Sequence, residues 1–249
     1  MGISDWDFQM AVNDLDFVGQ ETAGQVERVQ AVDVAGRRGR ALRRVEEKSV
    51  QLGLKRGMDI VLSASALLVF LPLLVIIAIA IRMTSPGPAL FSQLRWGKGC
   101  GKIRVYKFRT MYSDLSDQSG VAQTCVGDHR ITPLGAVLRK TNLDELPQLL
   151  NVLKGDMSLV GPRPHAIGMM AAGMLYEELV PDYHKRHRVQ PGITGLAQMR
   201  GLRGPTVLAS KARARAAADL HYVENYSLLL DIRILYGTLR SEVFGGSGF

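Results

Sequence analysis

The run from Ile60 to Ile81, "IVLSASALLVFLPLLVIIAIAI", holds 22 residues without a charge and limits what this chain can fold into more than any other feature. At about 1.5 Å per helical residue, roughly 20 apolar residues cross the hydrocarbon core of a bilayer. The run is longer than an ordinary core helix, so the chain is read as membrane-associated. It begins some 60 residues in, with no small-residue cleavage site after it, which argues against a secretory signal.

Its flanks complicate a simple crossing. Eight basic residues lie between Arg37 and Arg56 against Glu46 and Glu47; after the run come Arg82, Arg95, Lys98, Lys102, Arg104, Lys107 and Arg109, with no acid until Asp114. Basic flanks stay on the cytoplasmic side, so a straight crossing sends one cluster the wrong way. A segment that enters and returns satisfies both. Pro72, near the middle, lacks a backbone N–H and clashes with the carbonyl four residues back, so it can kink or break a helix there. The other reading is a kinked single-pass helix, because proline is tolerated in such helices.

Residues 1–36 carry a charge of −6, which leaves +14 on the rest of the chain. A basic body beside a membrane segment suits anionic lipid surfaces and phosphorylated substrates. No aromatic-basic signature of a nucleic-acid module accompanies the charge, so nucleic acid is not expected as a partner. Cys100 and Cys125 lack metal or redox spacing and fit a reducing cytoplasm. His184 and His187, in "HKRH", read as a solvated basic turn rather than a ligand pair.

The expected class is α+β and helix-rich. Residues 1–54 read as a partly disordered tail, acidic then basic; 55–83 as the membrane helix; and 84–249 as the cytoplasmic domain. Within that domain "ALFSQLRWG" and "KIRVYKFRTM" flank "KGCG", the pattern of a β-hairpin. The glycines there do not make a phosphate loop, since Trp96 and Ile103 stand where Gly and Ser/Thr are needed. Near the C-terminus Leu228, Leu229, Ile232, Leu235, Tyr236 and Leu239 form a helical stripe, suited to a core or to a membrane interface.

"RKTNLDELPQLLNVLKGDMSLVGPRP", residues 139–164, is the most informative stretch. Its leucines recur at helical spacing, Gly155 is a stop, and Pro147 fits only within the first turn, so the helix is predicted to begin near Leu143 or Asp144. Asp144 and Glu145 then sit at its positive end. Acids there serve as caps, and Asn142 with Glu145 has capping-box spacing. The same end lies near Arg139, Lys140, Lys154 and Arg163, a basic density suited to a diphosphate. Of a carboxylate pair in that setting, one can ligate Mg²⁺ together with phosphate oxygens and one can attack phosphorus.

"KRGMD" (55–59), "SPGPALFSQLRWG" (85–97), "YKFRTM" (106–111), "RITPLG" (130–135), "LDELPQLLNVLKGDMSLVGPRP" (143–164) and "PGITGLAQ" (191–198) together resemble the bacterial sugar transferases called monotopic polyprenyl-phosphate phosphoglycosyl transferases. With no multi-helix membrane segment ahead of the apolar run, the resemblance is to their short form. It implies a monotopic protein with a re-entrant membrane helix broken near Pro72, surface amphipathic helices, and a place at the bacterial inner membrane with the catalytic domain on the cytoplasmic side. It also implies transfer of a sugar-1-phosphate from a UDP-sugar to undecaprenyl phosphate, releasing UMP, as the first membrane step of exopolysaccharide or O-antigen type assembly. Asp144 and Glu145 fall on the family's catalytic dyad, Asp144 as nucleophile beside Mg²⁺ and Glu145 as base, with Arg163 and Arg139 on phosphate oxygens. Two departures stand out: Leu71 precedes Pro72 where relatives often carry serine, and Gln190 stands where they commonly carry arginine. Membrane lipids are expected partners, the sugar and the oligomeric state stay open, and pairing through the N-terminal tail would give a homodimer.

Overall fold

The computed structural model describes residues 50–115, 124 and 127–245; most of the N-terminal tail, and Cys125, lie outside the described residues. The chain from Leu54 onward forms one compact unit. Helix α1, Val50–Thr84, is 35 residues long, about 50 Å at the usual rise. Its backbone is helical throughout, Pro72 included, so the interruption expected at that residue is not present. The pyrrolidine ring still removes one N–H, leaving the Leu68 carbonyl without its donor inside the helix.

Only the two ends of α1 bury a face. Lys55, Asp59 and Ser63 are buried at four-residue intervals, as are Ile77, Ile81 and Ser85, while Leu68 to Pro72 are all exposed. The first arm is pinned by polar groups. Lys55 Nζ donates to the Val160 carbonyl at 2.9 Å and to Asp231 Oδ2 at 2.7 Å; Asp59 Oδ1 accepts from the Leu159 amide at 3.0 Å; Arg56 donates to the carbonyls of Val152 and Leu153. The second arm packs through Ile77 and Ile81 against Phe108 and Leu138, and Arg109 donates to the Ser85 carbonyl at 2.8 Å.

The expected hairpin is present. Strands β1, Leu90–Trp96, and β2, Lys102–Phe108, pair antiparallel with Leu90 opposite Phe108 and Trp96 opposite Lys102. Helix α2, Pro133–Lys140, starts at a proline without an orphan N–H, and the Thr132 side chain accepts from the Gly135 amide at 2.9 Å. A 3₁₀ turn, Leu143–Glu145, leads into α3, Gln148–Lys154, which ends on Gly155 in the left-handed region at φ 91.

Strand β3, Ser158–Val160, is followed by a small hairpin, β4 (Met170–Ala171) with β5 (Met174–Leu175), and by the one-turn helix α4, Tyr176–Leu179. Beyond a 3₁₀ turn, Tyr183–Arg188, strand β6, Gly192–Thr194, lies parallel to β3. A Cβ on Gly192 would sit 2.1 Å from the Gly161 nitrogen, which is why "VGPRP" and "PGITG" carry glycine where they meet. Helices α5 (Leu196–Met199), α6 (Ala209–Glu224) and α7 (Leu228–Gly245) complete the fold. The main core gathers Val105, Val152, Val160, Leu196, Tyr222 and Ile234.

The stripe on α7 divides. Leu229, Ile232, Tyr236 and Leu239 are all more than half exposed and Leu228 and Leu235 half-buried, while the buried positions of the helix, Asp231 and Ile234, lie off the stripe. Together with Val61, Leu68, Val69 and Ile76 on α1, this leaves large apolar side chains facing outward. The exposed face favours the membrane-interface reading of that helix over a core one.

The Lys55–Asp231 pair is buried on both sides, and Tyr222 also donates to Asp231 at 2.7 Å. Removing one partner strands a buried charge. Lys55→Met is therefore expected to lower unfolding stability by about 3 kcal/mol, and adding Asp231→Leu to restore much of it; denaturant titration in detergent measures both.

Candidate active site

A cavity of about 730 Å³ opens between the β1–β2 hairpin, the 3₁₀ turn and the loop that follows β3. Arg139, Asp144, Glu145 and Arg163, the four residues picked out in the sequence, all line it. Lys140 is exposed and does not, and Lys154, at the far end of α3, faces Asp156 and Tyr106 instead.

The turn that carries the two acids differs from the expected helix start. Helical winding does begin at Leu143, but as a 3₁₀ turn, and the α-helix proper starts at Gln148 with Pro147 in the cap position. Pro147 has no N–H to return to the Leu143 carbonyl and its ring crowds that oxygen. The Leu146 amide bonds it instead, at 3.3 Å, and the tighter winding follows. Asn142 takes a left-handed backbone, φ 54, and its side chain makes no capping bond. Glu145 is not a cap either.

Glu145 is occupied elsewhere. Lys107 Nζ lies 2.7 Å from its Oε1, and Arg163 grips the carboxylate with both terminal nitrogens, Nη1 at 2.9 Å from Oε2 and Nη2 on Oε1. Burial pushes this carboxyl up, but Arg163 and Lys107 override it and hold Glu145 well below the usual carboxylate range. Asp144 has the opposite setting. It is buried, takes no hydrogen bond from any described residue, and meets Lys107 only at 4.0 Å. Burial raises its carboxyl above the ordinary aspartate value against the pull of Lys107, with Glu145 adding to the rise. Two adjacent acids are thus driven apart, one firmly ionised and one poised.

The basic side of the cavity is itself supported. Arg95 donates to the Pro164 carbonyl at 2.7 Å, and burial beside Arg163 lowers its guanidinium to about 10. Arg186 donates to the Arg163 carbonyl at 2.7 Å and pairs with Asp219 at 2.6 Å, both buried. These bonds fix the loop on which Arg163 sits between its two prolines. Arg139 reaches the Thr110 hydroxyl at 3.4 Å. Gln190 lies outside the cavity lining and donates to the Gly155 carbonyl at 2.6 Å, closing the end of α3.

Lys107 and Arg95 were not singled out from the sequence, although both fall in stretches that carried the resemblance. The signal was present in β2: at a spacing of two, Lys107 shares a strand face with the buried Val105 and Arg109. A lysine on an inward face needs an acidic partner.

The chain matches the family model described as bacterial sugar transferase over residues 50–245. It is 64% identical over 200 residues to the exopolysaccharide production protein PSS of Rhizobium leguminosarum bv. phaseoli, covering 80% of this chain and 100% of that one. It is 48% identical over 187 residues to a UDP-glucose:undecaprenyl-phosphate glucose-1-phosphate transferase of Caulobacter vibrioides, covering 75% of this chain and 68% of the other. A UDP-N-acetylgalactosamine-undecaprenyl-phosphate N-acetylgalactosaminephosphotransferase of Aeromonas hydrophila is 43% identical over 192 residues, 77% of this chain and 44% of its own. The chain belongs to the bacterial sugar transferase family, as its motifs implied.

Lys107 lowers both carboxyls, so its loss must raise both. The depressed Glu145 contributes stability that is present above the normal glutamate range and fades as pH falls through its depressed value; Asp144, raised, works against folding at neutral pH and is relieved by acid. In Lys107→Met, carboxyl-carbon NMR titration should show Asp144 and Glu145 both titrating at higher pH than in the unaltered protein. Unmoved curves would remove Lys107 from the site's electrostatics.

Proposed function

We propose that this protein transfers a sugar-1-phosphate from a UDP-sugar to undecaprenyl phosphate at the cytoplasmic face of the bacterial inner membrane, the step that opens exopolysaccharide or O-antigen type synthesis. The observation that carries this reading is Asp144: a buried carboxylate facing a basic cavity, with no donor among the described residues claiming it while its neighbour takes the cations. Relatives whose names specify undecaprenyl-phosphate transfer of glucose-1-phosphate and of N-acetylgalactosamine phosphate support the acceptor and leave the sugar to experiment.

Asp144 attacks the β-phosphorus of the UDP-sugar. A P–O bond forms to its carboxylate, the bond to the α-phosphate oxygen breaks, and UMP leaves with that electron pair. An oxygen of undecaprenyl phosphate then attacks the same phosphorus, releasing Asp144 and giving the lipid-linked diphosphate sugar. Arg163 and Arg139 hold phosphate oxygens, and Lys107 balances their charge. A carboxyl held as low as that of Glu145 is a poor base while both cations grip it. It gains basicity as Lys107 and Arg163 turn to substrate phosphates, and only then takes a proton from the acceptor.

Asp144 fits as a Mg²⁺ ligand, since an unclaimed carboxylate beside incoming phosphate oxygens is the donor set that ion prefers. When bound, the ion supplies neutralisation of the diphosphate charge.

The membrane arrangement rests on α1. Both its arms dock on the same unit and the exposed stretch between them is apolar, which supports a helix bent at Pro72 that dips into one leaflet and returns. Catalysis then stays on one face, where soluble UDP-sugar meets the lipid phosphate.

Asp144→Asn should reduce UMP release and lipid-linked product at least about 1000-fold, and Glu145→Gln by about 100-fold or more, in an assay with radiolabelled UDP-sugars, undecaprenyl phosphate and Mg²⁺. Normal turnover by Asp144→Asn sinks the mechanism. For topology, Leu52→Cys and Lys102→Cys, each with Cys100 and Cys125 replaced by serine, should react with an impermeant maleimide from the cytoplasmic side only. Labelling from opposite sides excludes the re-entrant helix.

A further inference from the structure

The tip of the first hairpin brings a thiol to two imidazoles on the far side of the chain. Cys100 closes the short 3₁₀ turn Lys98–Cys100, with Gly99 and Cys100 both in the left-handed region at φ 64 and 60. It lies against the turn Tyr183–Arg188. Cys100 Sγ is 3.7 Å from His184 Nδ1 and 3.5 Å from His187 Nδ1, and each of the three residues offers a ligand atom within 4.8 Å of the others.

Those separations match a coordination polyhedron. A tetrahedral Zn²⁺ with Zn–S of about 2.3 Å and Zn–N of about 2.0 Å places S and N about 3.6 Å apart. The outer side of the cluster fits as well. His184 Nε2 lies 3.4 Å from Glu177 Oε2, and Glu177 Oε1 accepts from Trp96 Nε1 at 2.9 Å. A carboxylate on the second nitrogen of a histidine is how metal-bound imidazoles are oriented.

We propose that Cys100, His184 and His187 form a site for a borderline-soft divalent cation, Zn²⁺ by class, with Cys100 bound as thiolate and its proton lost to water. The fourth position faces solvent. None of the three residues lines the Asp144 cavity, so the ion takes no part in phosphoryl transfer. It acts as a clip. On one side it holds the hairpin whose Arg95 supports Pro164; on the other it holds the turn whose Arg186 supports Arg163. Both props of the phosphate-binding loop are tied by one ion.

The test uses full-length protein in detergent, purified by a tag without histidine. Zn²⁺ alone is titrated in competition with a chromophoric chelator, and Co²⁺ is substituted for spectroscopy. One equivalent should bind, with a thiolate-to-Co²⁺ charge-transfer band in the near ultraviolet. Cys100→Ser and His184→Ala, both at exposed positions, should lose the band and weaken Zn²⁺ binding at least about 100-fold, and Glu177→Gln should weaken it about 10-fold. Cys125→Ser and Asp144→Asn should bind as the unaltered protein does, so the outcome is independent of the transferase mechanism. Saturating Zn²⁺ should raise Tm in the unaltered chain and not in Cys100→Ser. Absence of stoichiometric binding, or unchanged binding by Cys100→Ser, overturns the site; binding without a rise in Tm overturns the clip.

Discussion

Glu145 holds three separate stretches of chain to one another, and the geometry of the cavity depends on that hold. Lys107 comes from the end of β2, Arg163 from the loop after β3, and Glu145 from the turn between them in sequence. Without the carboxylate, two cations would face each other across a partly buried space, and without the cations the carboxylate would be buried unpaired. Neither arrangement is tolerable at low effective dielectric. The triad is therefore self-selecting. It also leaves its neighbour, Asp144, as the acid without a dedicated partner.

The same logic of buried charge anchors the long apolar helix α1. Lys55 and Asp59 open a segment that is mostly apolar, and both point inward, to Asp231 and to the backbone of β3. Hydrophobic contact alone would let a lipid-facing helix slide or roll, since lipid tails are as apolar as leucine. Charged and hydrogen-bonded pins fix its rotation. The second arm has fewer such bonds and relies on Ile77 and Ile81 against Phe108 and Leu138, with Arg109 holding the chain as it leaves.

Much of this could be read from residue order. The hairpin followed from alternation around "KGCG", the helix stop from Gly155, and the four cavity residues from one stretch of 26 residues, 139–164. What escaped was set by distance in sequence. The tighter winding at Leu143–Glu145 depends on one missing N–H, and the spacing of leucines carries no trace of it. The partners of Glu145 are 38 and 18 residues away, and Cys100 meets histidines 84 and 87 residues on, so no local pattern pairs them. Pro72 illustrates the converse. Its presence was plain, but a proline fixes only a lost hydrogen bond, and the helical backbone around it continues.

The division between Asp144 and Glu145 has a chemical consequence. In the proposed mechanism Asp144 must attack phosphorus and later be expelled from it, and such a group works best when its anion is neither over-stabilised nor protonated. Two cations bound directly to Asp144 would lower its nucleophilicity, and deep burial alone would keep it neutral. Placing the cations on Glu145, with Lys107 at 4.0 Å from Asp144, gives a middle course. The field of Lys107 reaches Asp144 with no hydrogen bond from a described residue occupying its lone pairs. In that mechanism an incoming phosphate competes with Glu145, not with Asp144, for the same arginine and lysine. On the proposed reading, substrate binding rearranges the partner acid and leaves Asp144 where the fold has set it.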